Sequence, residues 1–177
     1  MHIHPATLII LHHFNFHQSE RKPSLRAGHP FAYPNIKALA SASVLKTLAL
    51  ERLQEAECLI ENGHFGGAYY IGGYAIELAL KAVVCKKLDI EIFDKETVPR
   101  HITKSFMIHD LSDLIILAGM TSELEEKCQI DGSFQISWSL VSDWSEQRRY
   151  EVACQAEKAK IFVFSLKLVI EWLQKNW

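Results

Sequence analysis

The sequence predicts an all-α protein, an up-and-down antiparallel bundle of four to five main helices with short extra helices. Three observations predict it. From about Tyr150 to Gln174, the residues Val152, Ala156, Ala159, Val163, Leu166, Ile170 and Leu173 recur at alternating spacings of four and three, the seam of an antiparallel helix contact. Residues 66–88 read as one helix that is apolar nearly all round, with Glu77 and Lys81 in its middle. Nowhere does polarity alternate with a strand's period for long.

Taken in order, residues 1–35 stand apart as an irregular or flexible N-terminal arm, and 36–177 make the helical domain. The arm holds six of nine histidines, four of five prolines and four charged groups, with no helical period. "HPFAYP" reads as turns or extended chain. A disordered arm, an arm that docks on the bundle or a partner, and translated sequence upstream of the natural start all fit this composition. His2, His4, His12, His13 and His17 lack a helical i,i+4 pair or a carboxylate partner, so no metal site is expected.

From about Ala38, Leu45, Leu48, Ala49, Leu53, Ala56, Leu59 and Ile60 recur at helical spacing, and "ENG" ends that helix with Gly63 as a left-handed cap. The second helix runs from about Gly66 to Leu88. A loop containing Pro99 extends to about Ile108, then a short helix from Asp110 to Ala118 ends at Gly119. Ser122 with Glu125 predicts a capping box opening the next short helix. The "DG" at Asp131 predicts a turn, and "FQISWSLVSDW" a partly buried helix. In the last helix, Phe162, Val169 and Trp172 add a second apolar stripe beside the seam.

At 177 residues the chain can bury one real core. A net charge of −2 gives no global basic field, which argues against wholesale non-specific nucleic-acid binding and leaves a local basic patch open. Cys58, Cys85, Cys128 and Cys154 are scattered without a CxxC pair, as expected for reduced, buried thiols. No segment reads as the roughly 18 apolar residues of a membrane span, and no secretory signal is expected. The expected location is the cytoplasm, with no membrane partner.

The second helix raises the functional question. Ala68, Gly72, Ala75, Ala79 and Ala82 make a small-residue stripe that lets another helix approach closely, while Tyr70, Tyr74, Glu77 and Lys81 follow the same rhythm on a different face. A solvated Glu–Lys i,i+4 pair is helix decoration contributing a few tenths of a kcal/mol. In surroundings as apolar as Gly66 to Cys85, the same pair points to a site or an interface instead.

The order "LQEAECLIENGHFGGAYYIGGYAIELALKAVV", then "HDLSDLIILAG", then a tryptophan-containing stretch ending "RRY", resembles the HEPN domain (higher eukaryotes and prokaryotes nucleotide-binding). The likeness covers about Ala38 to Gln174. It implies an all-α bundle, a homodimer, and pairing with a nucleotidyltransferase-like protein in a toxin–antitoxin-like system. Many members are metal-independent ribonucleases with Arg-x(4–6)-His near the start of the last helix. Counted from Arg149, that histidine is replaced by Cys154, Gln155 or Ala156, and no histidine follows His109. The resemblance therefore implies the non-nucleolytic branch, with no catalytic residues and no cofactor.

Glu77, Lys81, His109, Arg148, Arg149, Tyr74 and Tyr150 are the candidate ligand-binding residues. Lys81, the twin arginines and His109 would hold a phosphate of a nucleotide or RNA, Glu77 would orient Lys81, and the arginines would sit at the positive end of the last helix. Tyr70, Tyr74 and Tyr150 could stack on a base. Each has a plainer alternative: surface salt bridges for the arginines, core packing for the tyrosines, a bundle gap or first-turn contact for His109. Trp138 and Trp144 are expected to pack. Two further expectations are a protein-interaction subunit that buries the small-residue face and the second stripe against itself and a partner, and a ribonuclease that draws Arg149 and His109 from different segments.

Overall fold

A computed structural model describes residues 41–93, 98–151 and 153–177. The arm and its histidines, like Val152 of the seam, lie outside them. All regular structure among the described residues is helical, with no strand: α1 (Ala42–Glu61), α2 (Phe65–Leu88), α3 (Arg100–Phe106), α4 (Leu111–Leu117), α5 (Thr121–Ile130), α6 (Gly132–Ser142), a 3₁₀ helix (Glu146–Tyr150) and α7 (Ala156–Leu173). Helix α2 is the hub, packing on α1, α4, α7 and the 3₁₀ helix, while α6 lies on α5 and α7.

Cap chemistry sets the helix ends. The α1 terminus closes with a Schellman motif, Gly63 N–H donating to Ile60 O and His64 N–H to Leu59 O, with Gly63 at φ 77° as expected. Helix α4 ends the same way: Gly119 (φ 63°) N–H donates to Ile116 O and Met120 N–H to Ile115 O. That motif delivers the fully buried Met120 directly into α5, whose cap position it takes. The capping box expected at Ser122 therefore does not form, and Ser122 lies one residue inside the helix.

Asp131 corrects the expected turn. Its carboxylate caps α6, accepting from Phe134 N–H at 3.0 Å, Ser133 Oγ at 2.6 Å and Lys127 Nζ at 2.7 Å. The Lys127 bond, then the two caps, hold its carboxyl well below the usual carboxylate range. A depressed folded-state value means the stabilisation is complete above the unfolded value of about 3.9 and fades as pH falls through the folded one. Asp131→Asn is thus expected to lower the melting temperature at neutral pH, and the gap to wild type to shrink below about pH 4. Thermal scans of both proteins across pH check this.

Three further expectations are revised. Helix α3 occupies part of the predicted loop, and Pro99 serves as its N-cap. The last helix begins at Ala156 rather than Tyr150, because Arg148 binds both Asp143 and Glu151 and pins the preceding segment in the 3₁₀ helix. Cys58 is exposed on α1, while Cys85 is buried and Cys128 and Cys154 are half-buried.

The α7 seam is real, with Ala159, Val163, Leu166, Ile170 and Leu173 all buried. The second stripe is used within the chain as well. Phe162 and Val169 are buried, and Trp172 meets Phe134 of α6 edge-on at 5.2 Å. The small face of α2 is likewise spent internally: a Cβ on Gly72 would lie 2.7 Å from Leu166 Cδ1 and 3.5 Å from Ala56 Cβ. Among the described residues both faces are packed within the chain, with Trp172 half-buried. Helix α2 is also long and apolar enough to cross a membrane, contrary to expectation, because alanine and glycine keep its average apolar around two charges; 78% of its most apolar window is buried in the bundle.

Candidate functional site

Glu77 and Lys81 sit one turn apart on α2, only 3% and 6% exposed, with Lys81 Nζ donating to Glu77 Oε1 at 2.6 Å. The pair is not surface decoration. The ammonium also lies 5.4 Å from the centre of the buried Phe93 ring. Lys81 is thus committed to Glu77 and Phe93, its ammonium balancing the charge of a buried carboxylate.

His109 reaches the same carboxylate from 32 residues away, its Nδ1 3.1 Å from both Glu77 oxygens. Helix α4 makes this possible. Asp110 caps it by accepting from Asp113 N–H at 2.9 Å, and Leu111, Leu114 and Ile115 are buried, with α4 packed on α2. The residue before the cap is thereby held over Glu77. A carboxylate only accepts, so Nδ1 is the donor there, and Nε2 on the far side of the ring is left for solvent or a ligand. The His109 side chain is 43% exposed.

Tyr74 adjoins this group. Its hydroxyl bonds that of Tyr70 at 3.2 Å, and its ring meets Trp144 edge-on at 5.3 Å. Burial, the Tyr70 hydroxyl and the Glu77 charge push its phenol up to about 12, with Arg149 pulling the other way. Tyr74 is therefore a neutral phenol at physiological pH, within the fields of both Glu77 and Arg149.

The twin arginines diverge. Arg149 is exposed, with no ion pair among the described residues, and lies 4.9 Å from the ring centre of the equally exposed Tyr150. Arg148 faces Tyr69, 5.3 Å from its ring centre, and is held by Asp143 and Glu151. Neither occupies the start of α7 as expected, so that helix dipole does not act on them. The structure joins Glu77, Lys81 and His109 by direct contact and places Tyr74 beside them; Arg148 belongs to a different face.

Sequence reasoning missed Phe93, the Tyr69 environment and the depth of the Trp144 contact. A Cβ on Gly73 would fall 1.8 Å from the Trp144 ring, so this indole lies directly on the α2 backbone. The "GG" at Gly72–Gly73 was the available signal. Among the described residues no cluster of three metal-ligating side chains forms. The chain matches no protein-family model, and neither a curated protein nor a solved structure is significantly similar to it.

Proposed function

We propose that the chain is a HEPN-like binding module that holds the phosphate of a nucleotide or RNA at the His109 edge of α2. The observation that supports it is the buried Glu77 carboxylate, bound by both Lys81 and His109. Two partners satisfy the acid and turn Nε2 outward as a recognition group, a bare nitrogen that accepts from a ribose hydroxyl of the ligand while its phosphate is met by a cation. Arg149 supplies an uncommitted guanidinium for phosphate charge, and Tyr150 a ring for stacking. Lys81 and Glu77 act through His109, as positioning residues. The homodimer and the nucleotidyltransferase-like partner rest on the family resemblance alone.

Titration with ATP and with a short fluorescent RNA tests the proposal. Saturable binding to at least one of them is expected, weakened about tenfold or more by Arg149→Gln, since a charge-assisted hydrogen bond contributes about 1.5–3 kcal/mol, and about two- to tenfold by His109→Ala, which loses a neutral one of about 0.5–1.5 kcal/mol. Lys175→Gln, an exposed cation beyond the end of α7, should bind as wild type. No saturable binding, or equal losses from Arg149→Gln and Lys175→Gln, would reject the site.

Endoribonuclease activity is a second function, favoured by the Glu77–His109 geometry. A carboxylate that fixes Nδ1–H leaves Nε2 as a base able to take the ribose 2′-hydroxyl proton. The 2′-oxygen would attack phosphorus, the 5′-oxygen would leave and take a proton from solvent, and Arg149 would hold the phosphate charge. RNA cleavage by wild type that is lost in His109→Ala would favour this function over binding alone.

A further inference from the structure

A pocket of about 450 Å³ opens on the other side of α2, where α2, α6 and α7 meet. Its apolar lining comes from Leu140, Ile161, Phe162 and Tyr69, whose ring stacks on Phe162 with centres 4.0 Å apart. Tyr69 is buried as a residue, but its hydroxyl is not sealed from solvent and makes no hydrogen bond among the described residues. Burial, opposed by the Arg148 charge, pushes this phenol up from its ordinary value, so it stays a neutral O–H donor. Lys158 lines the same pocket, its ammonium 5.2 Å from the Tyr69 ring centre, and makes no ion pair among the described residues. Asp143 on the rim is already bound by Arg148.

Two donors without acceptors thus stand at the edge of an apolar cavity. The volume lies in the range of small-molecule sites, which are mostly apolar with a few convergent polar groups. A ligand acceptor would replace water at the Tyr69 hydroxyl with a direct bond in apolar surroundings, where a hydrogen bond is stronger.

We propose that this pocket binds a small amphipathic anion, its apolar or aromatic body against Leu140, Ile161 and Phe162 and its anionic head accepting from Tyr69 and Lys158. The site is independent of His109. Anilinonaphthalene sulfonate, an aromatic body carrying a sulfonate, is a suitable probe for the full chain. Saturable fluorescence enhancement at one dye per chain is expected. Lys158→Gln should weaken binding about tenfold and Tyr69→Phe, which keeps the ring stack, about fivefold. Leu140→Glu, at a half-exposed rim position, should abolish binding by filling and repelling. His109→Ala should leave it unchanged, which separates this site from the one above. Absence of saturable binding would overturn the proposal. So would equal dye binding by wild type and all three pocket variants with native circular dichroism, or enhancement that disappears as protein concentration rises, the mark of a second copy covering the pocket.

Discussion

Glu77→Ala is expected to destabilise the protein by about 3–5 kcal/mol, because it leaves the Lys81 ammonium charged and unpaired inside the bundle. A solvated i,i+4 pair would contribute only about 0.3–0.5 kcal/mol, so the measurement separates the two cases by an order of magnitude. Lys81→Ala should cost a similar amount, now with the carboxylate stranded and His109 as its remaining partner. The informative contrast is the double variant Glu77→Leu with Lys81→Met. Removing both charges and filling the space is often neutral or stabilising, so much of the single-variant loss should return. Urea unfolding of all four proteins gives the values. If the double variant folds well yet no longer binds nucleotide or RNA, the pair is retained for the site rather than for stability.

Gly73→Ala is the second large effect, at about 3 kcal/mol or more. Overpacking usually costs about 1–3 kcal/mol, and here the added methyl would overlap a rigid, buried indole at 1.8 Å. Trp144 is 3% exposed and cannot rotate away without opening the contact with Tyr74. Gly72→Ala should be milder, since its nearest obstacle, 2.7 Å away, is the end of the Leu166 side chain. Adding Trp144→Leu to Gly73→Ala should recover part of the loss by making room. Denaturant midpoints for the series give the ranking, and a Gly73→Ala cost below that of Gly72→Ala would contradict it.

The long helices were legible in the sequence because each shows its period over several turns. The α7 seam and the α1 cap at Gly63 stand where the spacing put them. Helix α3, at seven residues, is too short to display a period and follows a proline. The start of α7 depends on two ion pairs of Arg148, which spacing does not reveal. At α5, Ser122 and Glu125 spell a capping box, yet the Schellman end of α4 fixes the register one residue earlier.

The site divides along similar lines. Glu77 and Lys81 share a helix, so their mutual reach followed from spacing alone. The approach of His109 required the packing of α4 on α2, a tertiary fact. Arg148 and Arg149 look like one patch when read as neighbours. In a 3₁₀ helix successive side chains point about 120° apart, so one faces Tyr69 while the other is left exposed beside Tyr150. The unpartnered Tyr69 hydroxyl had no sequence signal, since the "YY" doublet marks both faces of α2 equally.

The most direct test is the nitrogen spectrum of the His109 imidazole, recorded at alkaline pH without ligand and then with added ATP or RNA. Protonated Nδ1, bare Nε2 and a saturable shift of Nε2 with either ligand are the predicted results. A proton on Nε2 instead, or ring signals that ignore both ligands while either binds elsewhere, would contradict a histidine held by Glu77 for recognition.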